Sequence, residues 1–460
     1  MEWQGKNVLI IGLARSGIGA ARLCARHGAR VTVLDAKPAE QVKEKTAQLQ
    51  DVPVEFWLGK EPEDQELAAF DLVILSPGAA PDQPMVQRAA ALGAEIWGEI
   101  ELAWHFAKAP VIGITGTNGK TTTTALAEHL MQNWQSGSRA AGNIGLAYSE
   151  MVEETEAPAW TVLELSSFQL ETTRSFHPRV SALLNLTPDH LNRHKTMEAY
   201  VGAKKNIFAN QGPEDYAILN YEDEGCRQIG EELEAREKGP QVIYFSRSRK
   251  MQRGVWICED RILENIFGEE HEVGRAGQMQ IFGAHNEENA LAAAACVLCA
   301  GMPAEKIRRP LEEFKGVEHR IEYVATVKGV AYYNDSKATN PDSAVKGLSA
   351  MRTSTVLIGG GMDKKIPFDE WCRLFPGKVK QLILLGETRE EIRRTALSCG
   401  YPAAKICMVH TLKEAVTAAA EAAGPGDCVL LSPACASWDM FESYEQRGRL
   451  FKEYVKQLPE

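Results

Sequence analysis

One stretch constrains the fold of this chain more than any other. It runs from an apolar "VIGIT" through "GTNGK" into "TTTTALAEHLMQNW", residues 111–134. A continuous apolar run predicts a strand covered on both faces, and the segment after the glycines reads as a helix. A strand that turns through glycines into a helix belongs to an α/β fold with a parallel sheet. Backbone N–H groups at such a helix start bind phosphate oxygens, and the helix dipole favours their charge. The P-loop signature asks for Gly, four residues, then Gly-Lys-Ser/Thr. Counting back from Gly119, Lys120 and Thr121 puts Ile114 where the first Gly belongs. The strand-to-helix context still predicts a phosphate loop over Gly116, Thr117, Asn118, Gly119, Lys120, Thr121 and Thr122. Lys120 is expected to reach the outer phosphates, and the Thr121 hydroxyl is placed for magnesium.

The same alternation recurs on both sides. "NVLIIG", "SGIGAARLCARHG" and "ARVTVLD" read as strand, helix closed by Gly28, and strand ending in Asp35; "FDLVILSPG" repeats the pattern. This predicts a small doubly wound unit over residues 1–98. A central block, 99–316, holds the phosphate loop, further strands and a short antiparallel ribbon in "GVWICEDRILENIFGEEHEV". Within it, "EELEAREKGPQ" reads as a solvated, charged excursion. A third block, 317–460, alternates strands and helices again. With 460 residues, several domains are expected.

Composition narrows the partners. The net charge of −11 argues against nucleic-acid binding. Anionic ligands must be held by local cations and backbone amides. No apolar run is long enough to span a membrane, and the N-terminus lacks a signal-peptide pattern, so a cytoplasmic protein is expected. The ten cysteines are scattered. The one CxxC, Cys296–Cys299, lies in an Ala-rich run and reads as two small residues on a buried helix face rather than half of a metal site.

Other polar residues sit at strand ends, where open α/β sheets bind ligands. "GLARSGIG" begins as a dinucleotide fingerprint, but Ala14 stands where the second Gly belongs. A nicotinamide site, a uridine diphosphate site and a plain turn all remain open for it, with Asp35 and Lys37 near by. Glu164, among apolar neighbours at a strand end, would complete a magnesium site. On the residues alone, His190 reads first as a hydrogen-bonded structural residue and Lys204 as a solvated helix lysine. In the third block "YYNDSKATNPDSA" offers Asp335, Lys337 and Thr339, with a helix starting at Pro341. The loops "IGGGMDKK" and "LSPACASWDMFESYEQRG" follow two further strands and converge with it if that sheet is parallel.

Taken together, "GTNGKTTT", "GNIG", "LELSSFQLE", "TPDHLNRH", "YVGAKKNIF", "GAHNEENALAA", "EHRIEYV", "NDSKATNP" and "SPACASWDMFESYEQRG" occur in order along nearly the whole chain. They resemble the Mur ligases, and most closely those that add D-glutamate. That family's phosphate loop is itself Gly-Thr-Asn-Gly-Lys-Thr-Thr, so Ile114 is no departure. The resemblance implies three α/β domains: Rossmann-like, P-loop ATPase-type and Rossmann-like. It implies an ATP-dependent ligase joining D-glutamate to UDP-N-acetylmuramoyl-L-alanine through an acyl phosphate, in peptidoglycan synthesis, acting as a monomer. Gly116 to Thr122 would hold the ATP phosphates, Asn286 and Asn289 the adenine, and Arg320 and Asp335 would reach the nucleotide. Thr121 and Glu164 would bind one magnesium ion; His190 and a carbamylated Lys204 would bind a second. Ser16, Asp35, Lys37, Ser76, Pro77 and Gly78 would hold the uridine diphosphate, with Asn143 near the muramoyl part. Lys337, Thr339, Lys364, Ser437 and Tyr444 would hold D-glutamate; Tyr444 falls where an aromatic, often Phe, is expected. Lys364 rather than Lys365 depends on alignment through an irregular loop. The alternatives are another amide ligase of this type or a P-loop ATPase or switch.

Overall fold

A computed structural model describes residues 2–459, except the side chain of Asn192. It contains three sheets. In the first, β1 (Asn7–Ile11), β2 (Arg30–Asp35), β3 (Val54–Leu58), β4 (Leu72–Leu75) and β5 (Glu95–Gly98) lie in the order β3-β2-β1-β4-β5. Every pair is parallel. The order reverses between β1 and β4, so a crevice opens beyond their carboxyl ends. The loops carrying Gly12 and Ser76 meet there.

The second sheet begins with β6 (Val111–Thr115), β7 (Arg139–Gly142), β8 (Thr161–Glu164) and β9 (Val180–Leu183). It continues with β10 (Tyr216–Asn220), β11 (Gln241–Ser246), β12 (Gly254–Cys258), β13 (Arg261–Glu264) and β14 (His271–Arg275). The order is β14-β13-β12-β11-β10-β9-β6-β8-β7. The last three strands form the antiparallel ribbon expected from their alternation. β6 lies between β9 and β8, so the phosphate loop opens at a switch point. The charged stretch after residue 230 is largely exposed, as its composition predicts. It begins as the last turn of the helix Glu224–Glu234, which buries Ile229 and Leu233. Two apolar residues four apart were enough to dock the start of a segment whose composition reads as solvated.

The third sheet contains β15 (Glu322–Val327), β16 (Val330–Asn334), β17 (Thr355–Gly359), β18 (Val379–Leu384), β19 (Ile406–Met408) and β20 (Cys428–Leu431). Its order is β15-β16-β20-β17-β18-β19, and only β15 is antiparallel. β16, β20 and β17 are neighbours, so their three polar loops share one edge, as the sequence predicts for a parallel sheet.

Two compact units result: residues 1–279 with 288–313, and residues 280–287 with 314–460. One apolar core runs through both sheets of the first unit, from Ile10, Trp97 and Ile100 to Leu163 and Phe208. Cys296 and Cys299 are buried on the helix Ala284–Cys299, with thiols pushed up by burial. All ten cysteines are free thiols. No helix among the described residues is long and apolar enough to cross a membrane.

Candidate active site

The phosphate loop follows β6 and opens the helix Lys120–Trp134. Gly119 caps that helix in a left-handed conformation, φ +86°, and a Cβ there would lie 2.3 Å from Asn289 Oδ1. Any other residue would be strained at that backbone angle and would displace Asn289. Asn185, just beyond β9, brackets the loop: its Oδ1 accepts from Asn118 N at 2.8 Å and its Nδ2 donates to Asn118 O at 3.1 Å. The Thr117 hydroxyl meets Tyr200 Oη at 3.0 Å and accepts from Thr187 N. Asn185 and Tyr200 were not singled out in the sequence. Asn185 had a legible signal, a polar residue one step past an apolar strand; Tyr200 had none.

Two lysines converge on one carbonyl. Lys120 Nζ donates to Gly116 O at 2.9 Å and to Thr117 O at 2.7 Å; Lys204 Nζ donates to the same Gly116 O at 2.8 Å. Lys204 is 1% exposed, which corrects the solvated-lysine reading. It sits in the helix Met197–Lys205, with its Nζ 3.4 Å from Thr115 Oγ1 at the end of β6 and over the Tyr200 ring. Burial, and then the neighbouring Lys120 charge, hold its amine well below the usual lysine range.

Glu164, at the end of β8, is 2% exposed. Its Oε1 accepts from Asn143 Nδ2 at 2.8 Å, while its Oε2 is buried without a partner among the described residues. A buried carboxylate oxygen with no donor fits a cation beside it. Thr121 is buried at the start of the adjacent helix. His190 stands apart on a more exposed loop, φ +53°, with its ring against Phe168 and Nε2 3.5 Å from Asp189. A chain that bends left-handed at His190 turns it out of the core.

The loop at the crevice of the first sheet is tightly packed. Ser76 Oγ donates to Gly12 O at 2.9 Å, and a Cβ on Gly17 would lie 1.9 Å from the same carbonyl oxygen. Asp35 accepts from Leu13 N at 2.8 Å and from Lys37 N at 3.0 Å, so its carboxylate holds the loop backbone. Ser16 and Pro77 are half-buried, and Lys37 and Gly78 are exposed beside them.

In the second unit, Asn286 and Arg320 line one cavity of about 150 Å³ with Phe282 and Tyr323. Asn289 is placed differently, receiving Thr123 Oγ1 at 3.3 Å beside the phosphate loop. Asp335 is buried and accepts from Ser432 Oγ at 2.8 Å and Ile321 N at 3.3 Å. Burial raises its carboxyl to about 7, against the pull of Arg320. Lys337 lies 5.6 Å from the Tyr444 ring centroid, and Tyr444 packs edge-on against His319. Ser437 is buried; Thr339 is half-buried. Lys364 and Lys365 are both exposed, and Lys365 Nζ pairs with Asp363 at 2.5 Å. Sequence reasoning missed Arg447. Fully buried, it donates to Ser336 O, Cys435 O and Ala436 O, and so ties the loops after β16 and β20 together. Its register, four residues before Phe451 and eight before Val455, is that of the buried face, and only its charge hid it.

Comparisons with known proteins agree along the length of the chain. Residues 6–98 match the Mur ligase MurD-like N-terminal domain, 114–297 the Mur ligase middle domain, and 319–435 the Mur ligase glutamate ligase domain. The UDP-N-acetylmuramoylalanine--D-glutamate ligase of Alkaliphilus oremlandii is 46% identical over 459 residues, covering 100% of both chains. The protein of that name from Lachnoclostridium phytofermentans is 45% identical, covering 100% of this chain and 99% of its own. Among solved structures, UDP-N-acetylmuramate-alanine ligase MurC from Thermotoga maritima superposes with TM-score 0.60 at 19% identity, over 98% of this chain and 99% of that one. MurF from Acinetobacter baumannii does so with TM-score 0.61 at 18% identity, over 97% and 93%. The fold is common to all of these and the sequence is shared throughout with the first two: the chain belongs to the Mur ligase family.

Proposed function

We propose that this protein joins D-glutamate to UDP-N-acetylmuramoyl-L-alanine, splitting ATP to ADP and phosphate, in peptidoglycan synthesis. The full-length relatives named for that reaction support the substrates. The observation that carries the chemistry is the convergence of Lys120, Thr121, Lys204 and the unpaired Glu164 oxygen on one phosphate loop.

The L-alanyl carboxylate attacks the γ-phosphate and becomes an acyl phosphate, which turns a poor leaving oxygen into phosphate. The D-glutamate amine then attacks the acyl carbon, and phosphate departs from the tetrahedral intermediate. Negative charge gathers on the transferring group, so Lys120 and the helix-start N–H groups stabilise it by position and charge. Magnesium, when bound, neutralises phosphoryl oxygens; Thr121, Glu164, His190 and Lys204 are the residues that would hold two ions. A Lys204 ammonium would repel a cation, whereas its carbamate is an anionic oxygen ligand. The depressed amine favours that modification, because only the neutral amine adds carbon dioxide.

The remaining assignments follow the same reading. Ser16, Asp35, Lys37 and Ser76 to Gly78 hold the uridine diphosphate, and Asn143 lies near the muramoyl part. Asn286, Asn289, Arg320 and Asp335 serve the nucleotide; Lys337, Thr339, Lys364, Ser437 and Tyr444 serve D-glutamate. The domains divide at 98 and 316, and the enzyme works as a cytoplasmic monomer. Phosphate release measured with each substrate omitted in turn tests the proposal. Release is expected only with both UDP-N-acetylmuramoyl-L-alanine and D-glutamate; ADP formation indifferent to the muramoyl substrate overturns it.

A further inference from the structure

Arg193 lies in the four-residue helix Leu191–His194, bounded by two non-glycine residues at positive φ, His190 (+53°) and Lys195 (+69°). Such conformations persist only where surrounding contacts over-determine them. Here one guanidinium supplies four of those contacts, with the Ser167 and Asp82 side chains holding His194 and Lys195. Nη1 donates to Pro77 O at 2.6 Å, and Nη2 donates to Ala79 O at 3.3 Å and pairs with Glu171. The guanidinium lies over the Phe168 ring, 4.1 Å from its centroid. That ring also touches His190 and His194. The Arg193 Nε–H is buried without an acceptor among the described residues, a desolvation cost that a plain strut has no reason to carry.

Pro77 and Ala79 flank Gly78 in the loop after β4. The carbonyl of Pro77 and the N–H of Gly78 are opposite ends of one planar peptide. Gly78 is exposed, and its N–H has no partner among the described residues. A phosphate oxygen that accepts from Gly78 N–H therefore orients and polarises the Pro77 carbonyl toward Arg193. Only a planar fork serves two carbonyls and a carboxylate together.

We propose that Arg193 is a positioning residue that senses occupancy of the Ser76–Gly78 loop and passes it to the segment carrying His190. Uridine-nucleotide binding then orders the phosphoryl-transfer side of the site. This rests on the assignment of that loop to the uridine diphosphate.

The test is a binding cycle on the full chain. The affinity for magnesium and a non-hydrolysable ATP analogue is measured by calorimetry, with and without UDP-N-acetylmuramoyl-L-alanine. In the unaltered protein the muramoyl nucleotide should tighten analogue binding by about fivefold or more. In Arg193→Ala the ratio should fall below about twofold, even where each ligand still binds alone. Arg193→Lys keeps the charge and loses the fork; it should lose the ratio too, and it serves if the alanine variant does not fold. A variant ratio equal to that of the unaltered protein overturns the inference, as does an unaltered protein that binds both ligands without coupling. If the unaltered protein does not bind the muramoyl nucleotide at all, the functional reading itself fails.

Discussion

The two glycine loops of the first unit are built alike and finished differently. Each joins a central parallel strand to a helix at a switch point of its sheet. In the loop after β1 the backbone is closed by the protein itself: Asp35 takes Leu13 N–H, Ser76 covers Gly12 O, and Gly17 presses on the same carbonyl. At the loop after β6 two lysines crowd one carbonyl, and at the end of the adjacent β8 the buried Glu164 Oε2 has no donor among the described residues. The first loop has its Gly12 carbonyl and Leu13 N–H paired, while no side chain caps the helix that begins at Arg15. The second is electrostatically incomplete and suited to a polyanion with its cations. On the function proposed above, the difference separates binding from chemistry: uniform binding lowers KM, whereas groups that act on charge developing in the transition state raise kcat.

Breaking the second loop should cost most. Lys120→Ala is expected to lower kcat by roughly 10²–10³-fold with little change in the affinity for the muramoyl nucleotide, read by steady-state phosphate release and calorimetry. An equal loss in both would erase the distinction between the loops.

The seam between the loops titrates. Glu99, fully buried, accepts from Ser149 N at 2.6 Å, and Ser149 packs on Gly19 of the first loop's helix. Burial raises its carboxyl from 4.5 to about 7. The folded protein therefore holds a proton that the unfolded chain has released, and stability falls as pH rises from about 4.5 to 7. Glu99→Gln should remove up to roughly 3 kcal/mol of that slope, measured by denaturant melts at pH 5 and 7. Parallel pH dependence in the two proteins would count against it.

Gly17→Ala places a Cβ against Gly12 O and should cost about 1–3 kcal/mol of stability, with a raised KM for the muramoyl nucleotide. Thermal melts and kinetics read the two effects separately. Asp35→Asn should be mildest, weakening that nucleotide by about 1 kcal/mol while kcat holds. A kcat loss comparable to that of Lys120→Ala would move Asp35 into the chemistry.

Much of this was legible because strand ends are local. Apolar runs that stop at Gly116, Glu164 or Asp335 announce both the sheet and the polar residue at its mouth. What was not legible is the fate of polar residues on helices. Lys204 and Arg447 carry charges that read as those of surface residues, yet both are buried. Asp35 has the position expected of a ligand group, and no local pattern shows that it also accepts from Leu13 N in the loop after β1.

The sequence by itself determined the elements, their order, the phosphate loop and the family, because periodicity and glycine placement act over a few residues. Only the tertiary structure decided which charges are buried, which are paired and which are left open. Those outcomes depend on groups far apart in the chain, such as Gly116 with Lys204 or Pro77 with Arg193, whose meeting no local pattern encodes.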